Sequence, residues 1–367
     1  MALVYDQSDL SISRVKGWRF GYKKALEHSL WGQQNSYMSY KKIVQAGAGG
    51  SIGAPVLKAL VDSGQFDVTV LTRKSSNYKP PYNSITVVPV DYTNHAELVE
   101  ALRGNDALVV TLGDFTSSER NHHALTDAAI KAGLKCIIPS TFASDLSNPP
   151  GSEEETFRPH LNNMAYIRSK QAEIGHIFIT NGCFFEWGLK TGILGLDIPN
   201  AKCTIYGDGM RPFNATTYDS VGRTVVSVLS TPSTFLNKDI RVHDFWITQW
   251  DLKALFEEET GKTYTVEHVD PLKLKADCEA AIAQGELNHH TFMGVIAGVV
   301  FGKHTQLGCQ RRYTIGRITG QGYQGGTEKV SRSDVNSRQT FRRVESARTV
   351  QAIEIVYHID EFNVHQK

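Results

Sequence analysis

No stretch of the 367 residues approaches the run of about 18 apolar positions that a membrane-spanning helix needs, so no such span is expected. Residues 1–30 also lack the unbroken apolar core of a secretory leader, and a cytoplasmic location is the expectation. Cysteine is scarce: Cys136, Cys183, Cys203, Cys278 and Cys309 are odd in number, scattered and never spaced Cys-x-x-Cys. They read as free thiols in a reducing compartment, which excludes a disulfide frame and leaves no metal site to expect. Net charge is nearly absent as well. A formal +1 gives no general pull toward nucleic acid or anionic membrane. The charge is uneven, because residues 303–367 carry 11 Lys and Arg against 6 Asp and Glu, a balance of +5 that leaves −4 elsewhere. Nucleic-acid binding has only this basic tail behind it, and solvated chain is the simpler account.

What is present is concentrated in residues 42–53, Lys-Ile-Val-Gln-Ala-Gly-Ala-Gly-Gly-Ser-Ile-Gly. Ile43 and Val44 end a buried strand, Gly47, Gly49, Gly50 and Gly53 crowd a turn, and Ala54, Leu57, Leu60 and Val61 follow at helical spacing. Strand, glycine turn and helix in that order form a dinucleotide cradle. The helix start offers unpaired N–H groups and a positive dipole end to a diphosphate, provided no side chain blocks the approach. The cofactor-binding set expected here is Gly47, Gly49, Gly50, Ser51, Ile52 and Gly53. A second strand, Val68–Leu71, ends at Thr72-Arg73-Lys74. An acidic residue at this tip suits the ribose of NAD, whereas a guanidinium suits the 2′-phosphate of NADP, so Arg73 with Lys74 points to NADP. A solvated basic turn is the alternative.

The pattern continues as a doubly wound α/β sheet of Rossmann type. Residues 85–90 form a third strand closed by Asp91, which either accepts from an adenine amino group or caps the helix at His95–Leu102. Residues 107–112 form a fourth strand whose end, Leu112-Gly113, should face the cofactor at the carboxyl edge of the sheet. A helix over 124–132 follows, with His122 and His123 as surface or capping residues at its start. Residues 135–139 make a fifth strand and deliver Ser140, Thr141 and Phe142 to the same edge, with Phe142 expected, like the aromatic residues further on, at the substrate pocket wall. Residues 146–160, rich in proline and acid, are either a lid or a solvated loop. The helix over 163–174 carries Tyr166 and Lys170 four residues apart on one face. A lysine one turn beyond a tyrosine lowers the phenol's pKa and can hold the nicotinamide ribose, so the spacing predicts Tyr166 as proton donor, with Ser140 or Thr141 adding a hydrogen bond. A solvent-facing helix is the competing reading.

Residues 177–180 give a sixth strand, and Phe184, Phe185 and Trp187 then gather as core and pocket wall. Beyond them the spacing predicts a strand at 201–206, a helix from Tyr218 to about Ser230 with Asp219 as N-cap, and a strand at 241–247. A capping box, Thr248-Gln-Trp-Asp251, opens a helix ended by Gly261, and helices are expected over 272–284 and 291–300. The division is a poorly ordered extension (1–40), an NAD(P)-binding domain that shares later strands (41–182), a smaller α/β substrate domain (183–302) and an atypical basic tail (303–367).

Taken as a set, the glycine loop, Arg73, Gly104-Asn-Asp-Ala-Leu-Val-Val110, Ala132-Gly-Leu-Lys-Cys-Ile-Ile-Pro-Ser140, Gly182-Cys-Phe-Phe-Glu-Trp-Gly-Leu189 and Val266-Glu-His-Val-Asp270 resemble the NmrA-like and isoflavone reductase-like family of atypical short-chain dehydrogenases, in its fungal branch. The resemblance covers about 41–302. It implies an NADPH-binding sheet domain, a smaller substrate domain and reduction of an aromatic or phenolic secondary metabolite, of enone, quinone or benzylic ether type. It equally implies, for some members, cofactor sensing without turnover, in which a regulatory protein would be the partner. Thr141-Phe142-Ala143 stands where that family usually has Glu-Phe-Gly, and the helix before Ile177 is shorter than the family's.

Overall fold

The computed structural model describes residues 39–113, 118–146 and 154–302, with the backbone of 318–319 and 322–323. The expected extension (but for its last two residues), most of the basic tail and residues 147–153 of the acid-rich loop lie outside these. Parallel strands β1 (Lys42–Ala46), β2 (Asp67–Arg73), β3 (Thr86–Val90), β4 (Ala107–Val110), β5 (Cys136–Ile138) and β6 (Gly175–Thr180) alternate with helices α1 (Gly53–Asp62), α2 (His95–Leu102), α3 (Ser118–Ala132) and α4 (Arg158–Ser169). The continuous apolar run of β4 and the four successive buried residues of β1 suit strands covered on both faces. Side chains from one face pack against α1, and those from the other against α2, α3 and α4.

The chain then leaves the sheet. Strand β7 (Cys183–Phe184), helix α5 (Phe185–Lys190), strands β8 (Leu196–Asp197), β9 (Lys202–Tyr206) and β10 (Phe213–Thr216) and helix α6 (Tyr218–Ser230) precede β11 (Lys238–Arg241) and β12 (Phe245–Ile247). Helix α7 (Gln249–Thr260), strand β13 (Thr265–Val269) and helices α8 (Pro271–Ala283) and α9 (His289–Phe301) follow. The large sheet has the order β11-β6-β5-β4-β1-β2-β3, and two three-stranded sheets, β12-β10-β7 and β13-β9-β8, build the second lobe. The order reverses between β1 and β4, and the crevice at that switch point is where ligands bind in such sheets.

Several boundaries differ from expectation for identifiable reasons. The run at 241–247 is two strands in two sheets: β11 pairs with β6, and Phe245–Ile247 pairs with β10. Sheet membership is decided by partners far along the chain, which strand propensity does not encode. The helix with Tyr166 starts and ends about five residues early, because Pro159 sits in its first turn and residues 170–174 form the turn into β6. Thr217 rather than Asp219 caps α6, and Asn94 rather than Asp91 caps α2. The Thr248/Asp251 capping box and the left-handed Gly261 that ends α7 are as the spacing predicts.

Helices α1 and α6 lie side by side and run in the same direction. Gly222 packs on Pro55 and Ala59 near their starts, and the Ser230 hydroxyl donates to Gln65 Oε1 at 2.7 Å near their ends. A Cβ at Gly222 would meet the Ala59 methyl at 2.8 Å and the Pro55 carbonyl oxygen at 2.9 Å, neither on a flexible side chain. Gly222→Leu is therefore expected to destabilise the fold by roughly 2 kcal/mol or more. A urea unfolding midpoint equal to wild type would show that the helices are not in this contact.

Candidate functional site

The glycine turn is shaped by close backbone approaches. Gly47 has φ +92°, and a Cβ there would lie 2.8 Å from the Thr111 carbonyl; a Cβ at Gly53 would overlap the Gly47 carbonyl oxygen. Both positions are thus closed to any side chain. Gly50 N–H donates to Gly47 O at 3.1 Å and Ala54 N–H to Gly50 O at 3.0 Å. Beneath the turn, the buried Gln45 amide donates to Gly53 O at 2.8 Å and to the Thr111 hydroxyl at 3.2 Å. The Thr111 hydroxyl in turn donates to Ala46 O at 2.9 Å. Gln45 thereby ties β1, β4 and the first turn of α1 together. A polar residue inside an otherwise apolar strand was the sequence signal for it.

The N-terminus of α1 is left open. Its N-cap Ile52 makes no side-chain cap, and its first turn holds no acid. The N–H groups of Ser51, Ile52 and Gly53 take no partner among the described residues. An uncapped helix start with a shaved approach fits a diphosphate. Leu112 is half-buried and Gly113 exposed, both just past β4 beside this turn.

At the tip of β2, Arg73 is exposed and forms no ion pair among the described residues. Lys74 differs, because its ammonium pairs with Glu97 at 2.8 Å, which also raises its pKa. The Asp91 carboxylate accepts from the Thr93 N–H at 2.8 Å and hydroxyl at 2.7 Å, bonds that lower its pKa. It is engaged in its own turn. The Tyr78 ring lies over Gly49, a contact that no motif signalled.

Ser140 stands at the exit of β5, half-buried, with no hydrogen bond to its hydroxyl among the described residues. Thr141 is spent on structure: its hydroxyl donates to Ile179 O at 3.3 Å and accepts from Ile179 N–H at 3.1 Å, stitching β5 to β6. Phe142 is buried in the core. The pair Tyr166 and Lys170 is not brought to the cradle. The Tyr166 hydroxyl donates to Asp127 Oδ1 at 2.5 Å, and its ring stacks on His123 at 3.8 Å, on the α3 side of the sheet. Burial first, then Asp127, push this phenol up to about 12, the reverse of activation by a lysine. Lys170 caps the end of α4, where the chain turns into the start of β6, at the sheet edge opposite the glycine turn. Its ammonium lies 3.5 Å from Glu173. The four-residue spacing is real, but the helix points its other end at the carboxyl edge.

That other end brings His160 to the site, in the first turn of α4. Its ring is held against the Thr141 backbone beside His122, and burial, then His122, lower its pKa to about 4. His160 is thus neutral at pH 7. His122 is itself buried inside α3, not at the surface. Of the expected aromatic wall, Phe185 is fully buried against Phe245 at 4.6 Å and Trp187 packs on the second lobe's core. Phe184 is half-buried and lies 5.4 Å from the Tyr218 ring, at the seam between the lobes. Among the described residues no group of three or more His, Cys, Asp or Glu is arranged to hold a metal, and no helix is long and apolar enough to cross a membrane.

The model of the NmrA-like family matches residues 39–297. The chain belongs to this family. It is 31% identical over 250 residues to oxidoreductase aprR of Aspergillus flavus, covering 67% of this chain and 83% of that one. Pinoresinol reductase 1 of Arabidopsis thaliana is 26% identical over 275 residues, covering 69% of this chain and 84% of that one. Among solved structures, AtPrR2 with NADP+ and (+)pinoresinol superposes with a TM-score of 0.60 at 24% identity, over 72% of this chain and 90% of that one. The binary complex of leucoanthocyanidin reductase with NADPH from Vitis vinifera gives 0.59 at 19% identity, over 75% and 89%. The doubly wound fold is shared with both, and the relatives place the chain among oxidoreductases.

In this NmrA-like chain the start of α6, the helix that packs on α1, is closed by a buried acid that sequence reasoning passed over. Glu186, 3% exposed, accepts the Tyr218 N–H at 3.0 and 3.1 Å with its two oxygens. Burial raises its pKa from 4.5 to about 7, with Asp244 and Asp219 adding to the rise. Between those two values the native protein holds a proton that the unfolded chain releases, so this group's contribution to stability falls as pH rises through that window. Glu186→Gln should remove that slope. Relative to wild type, the variant is expected to gain about 3 kcal/mol between pH 4.5 and pH 8 in urea unfolding. Parallel pH profiles for the two proteins would refute the shifted carboxyl.

Proposed function

We propose that the protein is an NADPH-dependent reductase of an aromatic or phenolic small molecule, of enone, quinone or benzylic ether type. One observation carries the reading: an uncapped α1 start behind a side-chain-free turn, with Arg73, which has no ion pair among the described residues, at the next strand tip. The residues present fit the cofactor, since Ser51, Ile52 and Gly53 offer N–H groups to a diphosphate and Arg73 offers a planar fork to a 2′-phosphate. Gly47, Gly49 and Gly50 let the backbone approach, and Leu112-Gly113 line the crevice past β4. Lys74 and Asp91 contribute through the shape of their turn, being engaged with Glu97 and Thr93. Relatives and structural neighbours that carry reductase names, several with NADP or NADPH in place, support the same reading.

When bound, NADPH supplies the hydride. The chain's part is to hold and orient the acceptor. The Ser140 hydroxyl, open at the β5 exit, donates to the substrate oxygen, and the neutral His160 ring beside it shapes the polar end of the pocket. Phe184 supplies an aromatic face at the lobe seam. Tyr166 and Lys170 serve the α3–α4 packing in this reading.

Two measurements test it. Titration by nicotinamide fluorescence should show Arg73→Ala weakening NADPH by roughly ten- to a hundred-fold while leaving NADH nearly unchanged. Equal losses for both would remove Arg73 from phosphate recognition. NADPH loss followed with a panel of quinones, phenolic enones and benzylic ethers should show turnover that survives Lys170→Ala and drops about ten-fold or more in Ser140→Ala. Tight NADPH binding with no turnover across the panel would instead favour an NADP-occupied regulatory protein.

A further inference from the structure

The two parallel helices α1 and α6 begin at the same level. Gly222 rests on Pro55, so one turn earlier on each helix Tyr218 is level with Ser51 of the glycine turn. The Tyr218 hydroxyl lies within hydrogen-bonding reach of the Ser51 hydroxyl. The two helix starts are nevertheless in opposite states. That of α6 is filled: Asp244 accepts the Thr217 N–H at 2.9 Å, Glu186 accepts the Tyr218 N–H, and the Thr217 hydroxyl accepts the Ser220 N–H at 3.3 Å. That of α1 has no cap and no acid. An anion arriving here is therefore taken by α1, and α6 can reach it only through a side chain. Tyr218 is that side chain. Its ring is braced by Phe184 at 5.4 Å, while Glu186 fixes its backbone, so the direction of the phenol is set before any ligand arrives.

We propose that Tyr218, from the second lobe, is a cofactor-binding residue whose hydroxyl donates to the diphosphate seated on α1, beside the Ser51 hydroxyl. The inference rests on the reading of the glycine turn as the NADP cradle and extends it across the lobe boundary. Its physical content is that the diphosphate is gripped from both lobes: by N–H groups of α1 on one side and by a phenol carried on α6 on the other. Burial keeps that phenol protonated, because it raises the pKa well above the ordinary tyrosine value, and a protonated phenol is a donor. Cofactor affinity then depends on the seating of α6, which Gly222 and Glu186 determine.

Tyr218→Phe removes one oxygen and keeps the ring that packs on Phe184. NADPH affinity, read by nicotinamide fluorescence at fixed pH and salt, is expected to fall roughly ten-fold. Adenosine 2′-monophosphate, which carries the phosphate for Arg73 but no diphosphate, should compete with equal affinity in wild type and variant. An unchanged NADPH affinity would overturn the proposal. So would an equal loss for adenosine 2′-monophosphate, because that pattern belongs to general damage. If Tyr218→Phe does not fold, Ser51→Ala with an intact Tyr218 gives the second arm. There NADPH should weaken only several-fold, the phenol still holding the phosphate, whereas a loss of about a hundred-fold or more would overturn it. Failure of the wild type to bind NADPH at all is a different result, which removes the cofactor reading and this inference with it.

Discussion

The approach of Gly53 to the Gly47 carbonyl is the constraint from which the rest of the site follows. No side chain fits at either position, so the turn can close only as bare backbone, and α1 starts where β1 and β4 part. Gln45 fixes this closure from below. Its buried amide holds the Gly53 carbonyl and the Thr111 hydroxyl, and Thr111 holds Ala46. A buried amide with its donors satisfied specifies one arrangement of β1, β4 and α1, because any other leaves those groups unpaired at a cost of about 1–3 kcal/mol each. The open N–H groups of α1 are thus aimed before anything binds, and preorganised donors lose little on binding.

The second lobe is joined to that turn by packing on one side and by a charged seam on the other. Gly222 lets α6 lie directly on α1, and Glu186, Asp244 and Thr217 close the start of α6. Burying Glu186, with Asp244 and Asp219 nearby, is costly, which is why its carboxyl takes up a proton near neutral pH. The Tyr218 N–H compensates part of that cost. A seam built this way is sensitive to pH at the point where the lobes meet, while the glycine turn, made of backbone and amides, is not.

How much of this was legible in the sequence depends on whether the cause was local. The strand–turn–helix at 42–53, the Arg73 tip and the Thr248/Asp251 box are local patterns, and the structure has each where the spacing puts it. Tyr166 and Lys170 mislead because spacing fixes which side chains share a helix face but not where that face points. The helix delivers its first turn to the carboxyl edge and its last to the opposite one, so His160 arrives at the site and Lys170 leaves it. Phe142 and Phe185 look like a pocket wall for the same reason, since an aromatic residue reads alike whether it lines a pocket or fills a core. The split of 241–247 between two sheets is non-local in the strict sense, decided by β6 and β10 far earlier in the chain.

The displacement of the Tyr–Lys pair narrows the chemistry that the site can perform. A lysine-activated phenol is a proton donor with a tuned pKa, but here the Tyr166 phenol is pushed up by burial and by Asp127, and it faces α3. What remains at the β5 exit is a hydroxyl and a neutral imidazole, Ser140 and His160. Neither is charged, so neither stabilises a full oxyanion as a lysine would, and hydrogen bonding is what they supply. Such a pair suits an acceptor whose developing negative charge is spread over a conjugated aromatic frame, because delocalisation lowers the demand for a localised counter-charge. The same argument disfavours a simple aliphatic ketone, where the charge would sit on one oxygen. On the proposed reading, the polarity of these two groups suits an aromatic or phenolic acceptor, as does Phe184 at the lobe seam.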